Sequence, residues 1–127
     1  MSEETLKLPS GRELTLQDLV KFCYDLSETD VEVLSILLKE KPKTIEELSD
    51  KLMLSKATIS RSLNKLLGLG LVIRKREQSP TGVGRPKYLY YTDMELIKNK
   101  MMRDIEACSK IIKEFITKIL ETGKLKV

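Results

Sequence analysis

The chain has 127 residues, 41% of them hydrophobic and 33% charged, with a net charge of +4 and no histidine. That is enough material for one hydrophobic core, and it is too highly charged for a membrane protein. Without histidine, the commonest general base at neutral pH, most zinc sites and every Ser-His or Cys-His nucleophile are excluded, so an enzyme is not expected, nor a metal or cofactor. No apolar run approaches the roughly 18 residues of a spanning helix, and the opening MSEETLKLPSGRE has no signal-like apolar stretch. The expectation is a soluble, cytoplasmic protein.

Helix starts carry the capping-box pattern, a Ser or Thr followed three residues later by an acid. Thr29 with Glu32, Thr44 with Glu47 and Thr92 with Glu95 fit it, and Thr15 with Asp18 is a weaker version. Apolar residues follow at helical spacing: Leu16, Leu19 and Val20, then Val31, Leu34, Leu37 and Leu38, then Ile45, Leu48 and Leu52. Residues 15 to 53 therefore hold three helices, and residues 1–14 are expected to be a flexible tail.

Ser55 can cap a fourth helix, KATISRSLNKLL, which stops at Gly68-Leu69-Gly70. The turn before it is very short, so the third and fourth helices make a helix-turn-helix. LVIRKRE and KYLYYT, rich in β-branched and aromatic residues, flank QSPTGVGRP and read as a β-hairpin with a basic tip. Three helices, a basic helix and a hairpin in that order give a winged-helix layout over residues 15–92. The fold class is mainly α with one small β-hairpin.

From Asp93 to Thr122 there is no proline or glycine, which predicts a helix about 45 Å long. Met94, Ile97, Met101, Ile105, Cys108, Ile112, Phe115 and Ile119 recur with a mean spacing of 3.6 and form one apolar stripe. A helix this long overshoots a small domain, and the simplest cover for its stripe is the same helix of a second chain. Residues 93–122 are thus read as a dimerisation helix and 123–127 as a short tail.

The charge is unevenly spread. Between Ser55 and Lys87 there are eight basic residues and one acid, Glu77, a net +7, and the other 94 residues carry −3. Such an asymmetry suits a polyanionic partner, although a solvated basic face would look the same. On a helical projection, Ile59, Ser62, Leu63 and Leu66 share the core side of the fourth helix, with Ala57, Arg61 and Asn64 opposite. Arg61 and Asn64 are suited to base edges in a major groove, Ala57 and Thr58 to close approach, and Lys56, Ser60 and Lys65 to phosphates. Ser55 is read as the N-cap, with a phosphate contact compatible with it.

Arg74, Lys75 and Arg76 cannot all face a core, because strand side chains alternate. Arg74, Arg76 and Lys87 are assigned to DNA, against the alternative of charges protecting an edge strand. Arg85, between Gly84 and Pro86 at the tip, is assigned to a minor groove or adjacent phosphate. Tyr88, Tyr90 and Tyr91 are expected to pack under the hairpin. Cys23 and Cys108 are expected to be buried free thiols, with a Cys108 pair across a dimer axis as the alternative.

The stretch SKATISRSLNKLLGLGLVIRKREQSPTGVGRPKYLYYT resembles the recognition helix and wing of MarR/TrmB-like winged-helix regulators. Over residues 15 to 122 the chain is most similar to the small archaeal Lrs-like regulators. The resemblance implies a homodimer formed through terminal helices, double-stranded DNA as partner and transcriptional regulation as the role. MarR members have additional helices framing a ligand cleft; this chain is too short for that set, so no small-molecule effector is expected. Two other roles stand beside the regulator: an architectural protein that coats DNA with weak specificity, and a winged-helix protein-interaction module.

Overall fold

A computed structural model describes residues 5–77 and 87–123. The elements in chain order are β1 (Leu6–Lys7), β2 (Glu13–Leu14), α1 (Leu16–Tyr24), α2 (Glu28–Lys39), α3 (Ile45–Leu52), α4 (Lys56–Gly68), β3 (Ile73–Glu77), β4 (Lys87–Tyr91) and α5 (Met94–Thr122). This is the expected winged helix with a long terminal helix. The described part of the stretch read as a flexible tail carries a short antiparallel hairpin, with Leu6 opposite Leu14 and Lys7 opposite Glu13.

The caps show how local chemistry sets the boundaries. Thr15 and Asp18 form a complete box at α1, and Thr44 and Glu47 form one at α3. At α2 the cap is Ser27 with Asp30, not Thr29 with Glu32: the Ser27 hydroxyl accepts from the Asp30 N–H at 3.1 Å and the Asp30 carboxylate accepts from the Ser27 N–H at 2.9 Å. The α2 helix therefore starts earlier than the Thr29 signal indicates. At α5 the cap is Asp93, not Thr92, because the Thr92 hydroxyl donates to the Leu37 carbonyl at 3.1 Å and ties the hairpin's end to α2.

The core lies between α1, α2, α3, α4 and the hairpin. Val33, Leu48, Ile59, Leu63, Leu66 and Leu71 are fully enclosed, joined by Tyr90 from β4 and Ile97 from α5. Burying a side chain of this size contributes about 1.5–3 kcal/mol, so the face of α4 carrying Ile59, Leu63 and Leu66 is firmly held. Beyond the hairpin, Lys43 and Tyr90 exchange backbone hydrogen bonds of 3.0 and 2.8 Å. This additional rung, which the sequence pattern did not reveal, fixes the wing's base to the loop before α3.

Two turns orient α4. Before it, Met53 takes a left-handed conformation at φ 55°, and the N–H groups of Met53 and Leu54 both reach the Ser49 carbonyl. After it, the Leu71 N–H bonds to the Leu66 carbonyl and the Gly70 N–H to the Leu67 carbonyl, each at 3.0 Å, which is a Schellman motif. Gly70 supplies its left-handed residue at φ 76°, a conformation that disfavours any side chain.

Candidate nucleic-acid interface

The α4 helix has the two faces expected of it. Ile59, Ser62, Leu63 and Leu66 are buried; Lys56, Ala57, Arg61 and Asn64 are exposed, and Thr58 and Ser60 are half-buried. At its N-terminus the Ser55 hydroxyl accepts from the Thr58 N–H at 3.1 Å and lies 2.8 Å from the Thr58 hydroxyl. An Arg61 guanidinium N–H donates to that same Thr58 hydroxyl at 3.4 Å. Ser55, Thr58 and Arg61 thus form one polar line along the outer face, at a helix end whose free N–H groups favour anions.

The inner face is held by a buried polar contact that sequence reasoning missed. Asp30, only 4% exposed, accepts from the Ser62 hydroxyl at 2.6 Å, linking α2 to α4. Lys65 turns to the same group, its ammonium 3.4 Å from the other Asp30 oxygen and bonded to the Asp25 carbonyl. Burial alone would raise the Asp30 carboxyl, but donation from Ser62 and Ser27 and the Lys65 charge hold it below its ordinary 3.8. Lys65, assigned to phosphate from its helical position, is therefore engaged with the body of the domain. The signal for this network was the pair Ser27 and Asp30, which repeats the capping-box pattern two residues before Thr29 and Glu32.

In the hairpin, Arg74 stands opposite Tyr90, Arg76 opposite Tyr88 and Glu77 opposite Lys87. Strand alternation puts Arg74, Arg76 and Tyr88 on one face and Lys75 and Tyr91 on the other. The Arg74 guanidinium lies over the Tyr88 ring, 4.4 Å from its centroid, and the Lys75 ammonium lies 5.6 Å from that of Tyr91. Only Tyr90 of the three tyrosines is a core residue; Tyr88 is exposed and Tyr91 half-buried, serving as platforms for cations. Arg74, Lys75, Arg76 and Lys87 are all exposed. Arg85 lies outside the described residues.

The α5 helix does not keep its whole stripe free. Ile97 is buried in the domain's own core, and Met101, Ile105, Ile112 and Ile119 are half-buried. Cys108 is in a disulfide with Cys23 of the same chain, with their Cα atoms 6.0 Å apart. This corrects both readings of the cysteines: they are neither free thiols nor paired between chains. The physical reason is that α1 packs on α5, where the Tyr24 hydroxyl donates to Asp104 at 2.7 Å and brings the two cysteines within bonding range. Met94 and Phe115 of the stripe are exposed, along with Met102, Ile111, Ile116 and Leu120 beside it.

Among the described residues, no helix is long and apolar enough to cross a membrane. The chain matches the family described as sugar-specific transcriptional regulator TrmB over residues 20–95. It is similar to a protein of the thermoacidophilic archaeon Sulfolobus tokodaii whose crystal structure is 38% identical, with 79% of this chain and 93% of that one covered and a TM-score of 0.67. A possible transcriptional regulator of Methanosarcina mazei shares the fold at 21% identity, covering 95% of this chain and 98% of its own, with a TM-score of 0.73. An uncharacterised protein of Methanocaldococcus jannaschii is 22% identical over 114 residues, which is 89% of this chain and 92% of that protein. With a family match over more than half its length and a winged helix that presents a basic outer helix, the chain belongs to the TrmB family of transcriptional regulators and is a DNA-binding regulator.

Proposed function

We propose that the chain acts as a homodimeric regulator of transcription that inserts α4 into the major groove of double-stranded DNA and lays the wing, residues 77–87, on the minor groove or backbone. The observation that carries this is the polar line of Ser55, Thr58 and Arg61 on the outer face of a helix whose opposite side is buried. Arg61 and Asn64 reach base edges, with Ala57 and Thr58 allowing close approach. Lys56, Ser60, Arg74, Arg76 and Lys87 contact phosphates, with Arg85 at the wing tip. Residues 15–92 are the DNA-binding unit and 93–122 the dimer helix.

The exposed apolar side chains of α5 support the dimer. Ile111, Phe115, Ile116 and Leu120 project from the half of the helix beyond Cys108, and a second copy would cover them. Met94, Met101, Ile105, Ile112 and Ile119 belong to the same apolar stripe along the helix, whereas Ile97 and Cys108 serve the chain's own core and disulfide.

Fluorescence anisotropy with a labelled duplex tests the reading. Arg61→Ala is expected to weaken binding by about 1–3 kcal/mol, or five- to 150-fold, while leaving the melting temperature unchanged because Arg61 is exposed. Affinity should fall steeply with salt, as phosphate neutralisation requires. Unchanged affinity in Arg61→Ala together with a flat salt profile would reject α4 as the reading helix. Equal affinity for every duplex, with the salt slope intact, would point to the architectural role.

A further inference from the structure

The α5 helix is 29 residues long, about 43 Å, and among the described residues the side-chain hydrogen bond and the disulfide that tie it to another element lie in its first half. Its anchors run in order: Ile97 in the core, Asp104 accepting from the Tyr24 hydroxyl of α1, and then the Cys23–Cys108 bond. Among the described residues, Cys108 is the last of these bonded anchors. Among the described residues, the side-chain hydrogen bonds beyond it, from Thr117 and Thr122, stay within the helix itself.

At the other end of the bond, Cys23 lies two residues before Asp25, the left-handed cap that closes α1. The Asp25 carbonyl accepts from Lys65 of α4. A short path therefore runs from the outermost anchor of α5, through the last turn of α1, to the helix that faces DNA. Both cysteines are half-buried, which leaves room for an incoming thiol.

We propose that Cys23–Cys108 is a reversible thiol–disulfide site whose redox state sets the angle between the DNA-binding unit and α5. The substrate class is a dithiol reductant. Its thiolate attacks one sulfur, breaks the bond between Cys23 and Cys108 and forms a mixed disulfide; its second thiol then displaces the protein sulfur. Two electrons and two protons pass to the cysteines, leaving two thiols here and a disulfide in the reductant. In the reduced protein α5 pivots at Asp104, one turn nearer its start. Two copies of α4 joined through α5 then lose their fixed spacing, and each α4 keeps its own contacts. This consequence for DNA rests on the proposed dimeric reading; the mechanical coupling does not.

The test compares air-oxidised and dithiothreitol-treated wild type with Cys23→Ser/Cys108→Ser, each with its free thiols counted. The probes are a random-sequence duplex of about 30 base pairs, long enough for two half-sites, and one of about 12, which holds one. Reduction is expected to raise the thiol count from zero to two and to weaken binding to the long duplex at least tenfold, with less than a twofold effect on the short one. The double variant should bind like the reduced protein with or without reductant. Amide hydrogen exchange at residues 105–118 should accelerate on reduction. Two free thiols in the oxidised protein, equal affinities in both redox states, or unchanged exchange would each overturn the proposal. If no duplex binds in either state, the DNA reading has failed, and the exchange comparison still decides whether the bond restrains α5.

Discussion

Replacing Asp30 by alanine probes the contact that holds α4 in position. The carboxylate serves three partners: the Ser62 hydroxyl at 2.6 Å, the Ser27 N–H at 2.9 Å and the Lys65 ammonium at 3.4 Å. In Asp30→Ala the Ser62 hydroxyl, on a residue 5% exposed, loses its acceptor, at a cost of about 1–3 kcal/mol. The Ser27 N–H is near solvent and adds about 0.5–1 kcal/mol, and the half-exposed Lys65 adds little. Relief of the buried charge works in the other direction, so the net loss is about 2–3 kcal/mol. For a chain of this length that is a fall of about 8–12 °C in melting temperature. Urea unfolding followed by circular dichroism reads the loss as a lower midpoint at constant slope. Because an orphaned hydroxyl causes most of it, Asp30→Ala/Ser62→Ala should be less destabilised than the sum of the single variants by about 1–2 kcal/mol. A loss below about 0.5 kcal/mol in Asp30→Ala, or strict additivity in the double variant, would refute the view that this pair fixes α4 against α2.

Other outcomes follow from the same structure. Asp30 and Asp104 both have carboxyls held below 3.8, so their contribution is fully present above that value and is lost as pH falls through the lower folded values; acid unfolding of Asp30→Asn should show a shallower dependence below pH 3.8. Ser55→Asp preserves an N-cap acceptor and should match or exceed wild-type stability, but it sets a negative charge against the duplex and should weaken DNA binding; unchanged affinity in an anisotropy titration would remove Ser55 from the interface. Met53, 90% exposed at φ 55°, should gain about 0.5–1 kcal/mol when replaced by glycine, and a loss in thermal melts would mean its side chain supports the turn.

Where one signal decided the outcome, the sequence was sufficient. Ser55 before KATISRSLNKLL specified both the start of α4 and its buried face, because Ile59, Leu63 and Leu66 had no competing reading. Where two signals overlap it misleads: Thr29 with Glu32 marks the start of α2 by pattern, but the box that forms is Ser27 with Asp30, two residues earlier, whose carboxylate also holds the buried Ser62, 32 residues away. The stripe of α5 was visible, but periodicity does not say which stretch of a stripe meets its own domain. Ile97 and Cys108 do, and Phe115 does not. The two cysteines are 85 residues apart, a pairing that only the packing of α1 on α5 makes possible. Tyr88 and Tyr91 looked like core because aromatic residues favour strands, yet they lie on opposite faces of the hairpin, and their rings pack against Arg74 and Lys75 as supports for cations.

The central claim is that two copies of α4 read DNA together, and selection of bound duplexes from a random-sequence pool tests it most directly. The account predicts enrichment of paired half-sites whose centres lie about one helical turn, roughly 34–36 Å, apart. A selected pool no different from the starting one, or enrichment of a single unpaired site, would contradict it.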